Sequence, residues 1–149
     1  MPTLNEKMDA NGVYPLAGDC YCFAAAVQKI ADEKAKHTAI VCVKKEPYGS
    51  IGHCMLQDLD ERSYYDVDGK QDGEEALEKF KEYVDECGDE LSDEGWFIDE
   101  CYDDSVYYDK YMANKECKDG KIERIERMLR CDPPEWLKDL EASIRRRDG

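Results

Sequence analysis

Three side chains that are far apart in the sequence have the types needed for covalent catalysis by a thiol. Cys20 follows a Gly-Asp turn and precedes an alanine-rich run, His53 starts a predicted strand, and Asp66 lies on the next predicted strand. A thiol nucleophile needs a base that accepts its proton, and the base needs a carboxylate that fixes its orientation and tautomer. The sequence therefore predicts Cys20 as nucleophile, His53 as general base and acid, and Asp66 as orienting residue. The expected reaction is transfer of an acyl group through a thioester to water or an amine.

The predicted helix that carries Cys20 contributes to this chemistry. Asp19 is a good N-cap, which puts Cys20 in the first helical turn. We expect the positive end of the helix dipole to lower the pKa of Cys20, and the first backbone amides to donate to an oxyanion. Apolar residues at helical spacing then form one buried face, which comprises Cys20, Phe23, Ala24, Val27, Ile30 and Ala31.

The predicted hairpin that carries His53 and the aspartates allows two registers. In the first, Leu59 pairs with Arg62 across a two-residue turn. His53 then lies opposite Asp68 and diagonal to Asp66. In the second, shifted by two residues, Asp66 itself lies opposite His53. Both registers keep the histidine and the aspartates on one face, so Asp66 is the preferred orienting residue and Asp68 its alternative.

Hydrophobic periodicity and turn residues predict an α+β fold with a single domain. Strands are expected at 38–43, 52–59 and 62–68, and helices at 20–31, 73–87, 121–131 and from Pro134 onward. The segment 96–102 fits either a short strand or a buried helical turn. We expect residues 1–70 to form a core in which the cysteine helix packs on a small antiparallel sheet. Residues 71–149 are expected to form an acidic, mainly helical extension.

The same residues carry a resemblance to a known superfamily. Gly18-Asp19-Cys20-Tyr21 before a run of alanines, Gly52-His53 at the head of a strand and Tyr65-Asp66 resemble papain-like cysteine hydrolases. They are most similar to the branch that contains NlpC/P60-type peptidases, transglutaminase-like proteins and related small phage-encoded proteins. The resemblance covers residues 14–69. It implies a papain-like core and an attack on a peptide, isopeptide or other amide bond.

Three features depart from the pattern of that superfamily. Cys22 lies two residues after the proposed nucleophile and is a second candidate for the reactive thiol. Cys54 stands where many relatives carry a small or aromatic residue. No upstream glutamine occupies an oxyanion position, for which Asn11 and Tyr14 are the candidates. The sequence therefore leaves the reactive thiol and the side-chain oxyanion donor open.

The charge of the chain restricts its partners. The formal net charge is −15, and residues 71–120 hold 18 acidic against 5 basic side chains. Such a charge disfavours direct binding of nucleic acid or of an anionic membrane surface. A positively charged substrate or a basic partner protein remains compatible with it.

The acidic segment also suggests an alternative function. Its carboxylates are interleaved with tyrosines at 102, 107, 108 and 111. A folded surface of this kind imitates the phosphates of nucleic acid, and the protein would then be an acidic interaction or inhibitor protein that occupies a basic cleft. The simpler interpretation is a solvated acidic face.

A zinc site is the alternative use of the cysteines. Cys20, Cys22, His53 and Cys54 are possible ligands, but adjacent strand residues point to opposite faces and the cysteine spacing is shorter than usual. We therefore expect no metal, and no organic cofactor since no phosphate loop or dinucleotide motif is present. The sequence shows no secretion signal and no apolar run that spans a membrane, so a cytoplasmic protein with eight reduced thiols is expected.

Overall fold

A computed structural model of the chain describes residues 3–15, 19–31, 38–45, 50–86, 95–99 and 120–148. The helices are α1 (Leu4–Asp9), α2 (Cys20–Ala31), α3 (Gly73–Glu86), α4 (Ile122–Cys131) and α5 (Glu135–Asp148). The strands are β1 (Thr38–Lys45), β2 (Ser50–Asp58), β3 (Ser63–Asp66), β4 (Gly69–Gln71) and β5 (Trp96–Asp99). In this described part of the chain, no helix is both long and apolar enough to cross a membrane.

The strands form one antiparallel sheet in the order β4-β3-β2-β1-β5. β1 lies between β2 and β5 and is buried on both faces, which explains why its sequence is a continuous run of apolar, often β-branched residues rather than an alternating one. β5 comes from a distant part of the sequence and closes the other side of β1. The sheet therefore contains residues from both halves of the chain.

One face of the sheet packs against α2, and α2 packs in turn against α4 and α5. The apolar stripe of α2 lies in the same hydrophobic cluster as the buried residues of the last two helices, Ile122, Ile125, Leu129, Leu137 and Leu140. Small residues on α2, including Ala24 and Ala26, leave room for close approach of its neighbours. The position of the helix that carries Cys20 is thus fixed by the sheet below it and by two helices from the end of the chain.

The opposite face of the sheet packs against α3. Ala76 and Phe80 of this helix are buried against Met55, Tyr64 and Trp96 from three different strands. The apolar stripe that predicted the helix is the face that it buries, and exposed carboxylates occupy its outer side.

The β2–β3 hairpin adopts the first of the two registers considered above. Asp58 pairs with Ser63, and its carboxylate accepts hydrogen bonds from the amides of Asp60 and Glu61 at 3.1 and 3.3 Å. Arg62 closes the turn in the left-handed region with a φ of 57°. The polar side chains of the turn therefore fix the register, and the register decides which aspartate lies near His53.

A β-bulge lies at the site end of β2. Val43 pairs with His53, whereas the next residue, Lys44, pairs with Ile51. Gly52 is left over as the extra residue of the bulge. A bulge bends its strand and changes the direction of the neighbouring side chain, in this case that of His53.

The predicted α+β fold is confirmed. The segment that begins at Trp96 forms a strand, and residues on both sides of position 70 contribute to each hydrophobic cluster. Two elements are absent from the sequence prediction because each is short. Helix α1 has six residues and is recognised only by its capping box, in which Thr3 and Glu6 bond reciprocally. Strand β4 has three residues.

Candidate active site

His53 and Asp66 are joined across the open end of the β2–β3 hairpin. Nε2 of His53 lies 3.0 Å from Oδ2 of Asp66, and both side chains are buried. Asp66 is the last residue of β3, and the part of β2 that contains His53 extends beyond the residues paired with β3. The Asp66 side chain therefore reaches His53 diagonally. The alternative residue, Asp68, directs its carboxylate to Lys79 at 3.4 Å. Of the two aspartates considered from the sequence, Asp66 is the one that contacts the histidine.

The second oxygen of the Asp66 carboxylate is also bound. Oδ1 accepts hydrogen bonds from Nε2 of Gln71 at 2.7 Å and from the amide of Asp68 at 2.9 Å. Burial acts to raise the pKa of Asp66, but the hydrogen bond and charge of His53 and the amide of Asp68 outweigh it and hold that pKa below its usual value. The carboxylate is therefore ionised at neutral pH, with Oδ2 directed at the imidazole.

Gln71 is a site residue that the sequence analysis missed. It lies on β4 opposite Tyr64, two residues along β3 from Asp66, so alternation places it on the face of Asp66. The signal in the sequence is Gly69, which follows the two-residue connection 67–68. In the structure this glycine has a φ of 101°. This connection marks a second tight hairpin directly after Asp66.

The side chains of Cys54 and His53 both act on the thiol of Cys20: that of Cys54 raises its pKa and that of His53 lowers it. Cys20 is the first residue of α2 and is 6% exposed. Regular alternation would direct His53 and Cys54 to opposite faces, and we attribute the effect of His53 on Cys20 to the bulge at Gly52, which turns the histidine. The three residues predicted from the sequence thus lie together: His53 and Asp66 are hydrogen-bonded, and Cys20 is close enough to His53 for each to shift the pKa of the other.

The imidazole of His53 has an unusually high proton affinity. Burial acts to lower its pKa, whereas the hydrogen bond and negative charge of Asp66, together with the side chain of Cys20, raise it, and the resulting pKa is about 9. An ionised carboxylate at hydrogen-bond distance is the type of neighbour that stabilises the imidazolium. His53 is therefore protonated at neutral pH.

The pKa of Cys20 differs from the expectation of a lowered value. The hydrogen bond with Cys54 and burial raise it well above the ordinary value of a thiol, against the opposing hydrogen bond with His53. The expectation was wrong because it considered the helix terminus without the thiol of Cys54. In the arrangement observed, a neutral thiol lies beside an imidazolium.

An aromatic pair from the second half of the chain covers the histidine. The ring of Phe80 stacks on that of His53, with centroids 6.3 Å apart and an interplanar angle of 15°. Phe80 in turn meets Trp96 edge to face at 4.7 Å. This apolar cover limits water around the His53–Asp66 hydrogen bond and so strengthens it. The periodicity of α3 identified Phe80 as a core residue, and only the packing shows what it covers.

A buried ion pair holds Asp19, the residue that precedes Cys20. Nζ of Lys121 lies 3.1 and 3.2 Å from the two carboxylate oxygens of Asp19, and both side chains are less than a tenth exposed. Oδ2 of Asp19 also accepts a hydrogen bond from the amide of Tyr14 at 2.8 Å. Asp19 occupies the predicted N-cap position and connects the start of α2 to the residues just before α4.

The structure distinguishes between the two candidate thiols. Cys22 is disulfide-bonded, so the prediction that all eight cysteines are reduced is wrong at this position. Cys20 carries a reduced thiol, as do Cys42, Cys54 and Cys131. The disulfide removes Cys22 both as a nucleophile and as a ligand of the alternative zinc site. In the described ranges, no group of three His, Cys, Asp or Glu side chains is arranged to hold a metal ion.

The remaining candidates from the sequence are placed as follows. The side-chain amide of Asn11 donates to the carbonyl of Lys7 at 2.9 Å, and the ring of Tyr14 is half exposed. We therefore assign no side-chain oxyanion donor, and the amides at the start of α2 keep that expected role. The tyrosines at 102, 107, 108 and 111 lie outside the described residues.

Comparisons with known protein families, with curated proteins and with solved structures find no match. The resemblance to papain-like cysteine hydrolases rests on the residues quoted for it.

Proposed function

We propose that this protein is a cysteine-dependent hydrolase or acyltransferase that acts on a peptide, isopeptide or other amide bond. The observation that supports the proposal best is the buried His53–Asp66 hydrogen bond, with His53 acting in turn on the buried thiol of Cys20 at the start of a helix. Each residue has the type and the neighbour that its role requires: a thiol beside an imidazole, and an imidazole held by an ionised carboxylate.

The reactive form arises when the site loses one proton. At neutral pH the thiol and the imidazolium hold one proton more than a thiolate–imidazolium pair. The imidazolium, whose pKa is about 9, loses its proton first and leaves a neutral His53. His53 then accepts the proton of the Cys20 thiol as its sulfur attacks the substrate carbonyl, while the amides at the start of α2 stabilise the oxyanion. His53 then donates its proton to the departing amine and later accepts one from the water that hydrolyses the thioester. Asp66 binds Nε2 throughout, which leaves Nδ1 of His53 for the thiol.

The surroundings of the site suggest a substrate with positive charge. Phe80 contacts His53 from α3, and the outer side of that helix exposes Glu74, Glu75 and Glu78. A cationic peptide or a basic protein would be attracted to these carboxylates, with a rate that falls as salt is added.

The proposal is tested by acyl transfer from p-nitrophenyl acetate at pH 7 and pH 9.5. We expect acetylation of Cys20, located by peptide mass spectrometry and released by hydroxylamine, with p-nitrophenol as the leaving group. The rate should be higher at pH 9.5, since the site must lose a proton first. Cys20→Ser should abolish this acetylation, and His53→Ala should slow it about 10²- to 10⁴-fold.

Cys131→Ser is the matched control, because Cys131 is the exposed reduced thiol among the described cysteines. This variant should lose background acetylation at position 131 and keep that at Cys20. Acetylation confined to Cys131, or a Cys20 rate that is unchanged by His53→Ala, would contradict the proposal.

A further inference from the structure

A second thiol and a third lie directly behind the nucleophile. Sγ of Cys54 lies 2.9 Å from Sγ of Cys42, and the side chain of Cys54 also acts on the thiol of Cys20, whose pKa it raises. All three belong to one hydrophobic cluster between α2 and the sheet. Hydrolysis of an amide requires only the first of these thiols, so the other two call for a separate explanation.

We propose that Cys20, Cys54 and Cys42 form a thiol relay that receives oxidation at the nucleophile, passes it inward and stores it as a Cys42–Cys54 disulfide. The co-reactant is a small peroxide such as hydrogen peroxide. The relay rests on the positions of the three thiols and does not require that the protein hydrolyses amides.

Burial gives the relay its direction. Cys20 is 6% exposed, Cys54 1% and Cys42 0%, so a peroxide in solution reaches Cys20 first. The Cys20 thiolate attacks one peroxide oxygen and the O–O bond breaks, which gives a sulfenic acid and, after proton uptake, one water. The thiol of Cys54 then attacks the Cys20 sulfur, and the sulfenic oxygen leaves as a second water. The product is a Cys20–Cys54 disulfide.

The last step returns the nucleophile. Cys42 attacks the sulfur of Cys54, the Cys20–Cys54 bond breaks, and Cys20 leaves as a thiolate that gains the proton lost by Cys42. The hydrogen bond from His53 stabilises Cys20 as the leaving group. In total, one peroxide is reduced to two waters and two thiols are oxidised to one disulfide.

The strand register suits the stored disulfide. Cys42 and Cys54 are direct partners across the antiparallel pair β1–β2. Opposed residues of such a pair have Cα atoms about 4.5–5.5 Å apart, within the range that a disulfide spans. The disulfide at Cys22 shows that this fold already accommodates one oxidised cysteine on the neighbouring helix.

The test is a time course with hydrogen peroxide at pH 9, quenched by acid and alkylation and read by non-reducing peptide mapping. In the unmodified chain we expect the Cys20–Cys54 disulfide to appear first and the Cys42–Cys54 disulfide to replace it while Cys20 becomes available for alkylation again. Cys42→Ser or Cys42→Ala should stop at Cys20–Cys54. Cys54→Ser should let Cys20 proceed to sulfinic acid. Cys131→Ser should behave as the unmodified chain.

Removal of Cys20 separates the relay from direct oxidation of the buried pair. Cys20→Ser should slow formation of the Cys42–Cys54 disulfide by roughly tenfold or more, because the entry point is gone. An unchanged rate in Cys20→Ser, or sulfinic acid at Cys20 without any disulfide in the unmodified chain, would overturn the relay. These readouts do not depend on acyl transfer, so a failure of the proposed hydrolase activity would be recognised separately.

Discussion

At the scale of single residues, the state of the site is decided by which hydrogen bonds each titrating group receives. His53 is buried, which alone would make it a neutral ring, yet Asp66 and Cys20 raise its pKa to about 9. Cys20 begins a helix, which alone would favour a thiolate, yet Cys54 and burial keep it a thiol. In both cases the side chains in direct contact decide whether the pKa is raised or lowered, because their effect at contact distance is larger than that of a helix terminus.

The contribution of Asp66 is testable by titration of His53. We expect Asp66→Asn to lower the pKa of His53 by about 1–3 pH units, the usual effect of an opposite charge at hydrogen-bond distance. Nitrogen NMR of labelled imidazole measures it directly. Asp68→Asn is the matched control, since its carboxylate faces Lys79, and it should leave the titration of His53 in place. Equal shifts in the two variants would show that Asp66 has no special role.

At the scale of elements, the site is built where the ends of several short elements meet. The start of α2 provides Cys20, the bulged end of β2 provides His53, and the end of β3 provides Asp66. β4 supplies Gln71 to the carboxylate. Because each side chain comes from the end of its element, anything that moves α2 against the sheet changes the Cys20–His53 contact.

The buried pair Asp19–Lys121 is the main polar connection between α2 and the start of α4. Lys121→Met should destabilise the protein by about 3–5 kcal/mol, since it leaves a buried carboxylate without its cation. The double variant Asp19→Asn/Lys121→Met should cost less than Lys121→Met alone. Urea unfolding measures both.

Lys70→Met is the control for that experiment. Lys70 pairs with Glu61 at 3.2 Å on the surface, where both side chains are about half exposed. Its removal should leave the unfolding midpoint nearly unchanged. If Lys121→Met were equally mild, the buried pair would have no part in holding α2.

At the scale of the whole molecule, the acidic second half of the chain is part of the structure that positions the site. Phe80 of α3 stacks on His53 and is itself backed by Trp96 of β5, and α4 and α5 bury the outer side of α2. The negative charge of this half is carried on surfaces such as the outer side of α3, while its apolar stripes complete both cores. Because the pKa of His53 depends on this folded environment, the free energy of unfolding depends on the protonation of His53.

The pH dependence of unfolding is the consequence of that linkage. The pKa of His53 is raised from 6.5 to about 9, so its stabilisation is complete below pH 6.5 and is lost as pH rises towards 9. We expect the free energy of unfolding to fall by about 2 kcal/mol between pH 6 and 8.5. The pKa of Asp66 is lowered, so its stabilisation is present above its unfolded-state pKa and is lost as pH falls through the folded-state value.

The comparison for this prediction is His53→Gln, which cannot titrate. Urea unfolding at several pH values should show a flatter profile for this variant from pH 6 to 8.5. Parallel profiles for the two proteins would mean that His53 has no raised pKa in the folded state.

The sequence by itself determined most of the helices and strands and the settings of the three candidate residues. Helical and alternating periodicities depend only on residues that are close in the sequence, and the turn after Asp58 specifies a local hairpin. Cys20 could therefore be assigned to the start of a helix, and His53 and Asp66 to the two strands of the hairpin. Only the tertiary structure decided what surrounds them. Lys121 lies 102 residues from Asp19, and Phe80 and β5 arrive from the second half of the chain. Such contacts depend on how elements pack across the sheet, which local patterns do not specify. The same reason explains the raised pKa of Cys20, since its largest cause is Cys54, a residue of β2 that the packing of α2 on the sheet brings to it.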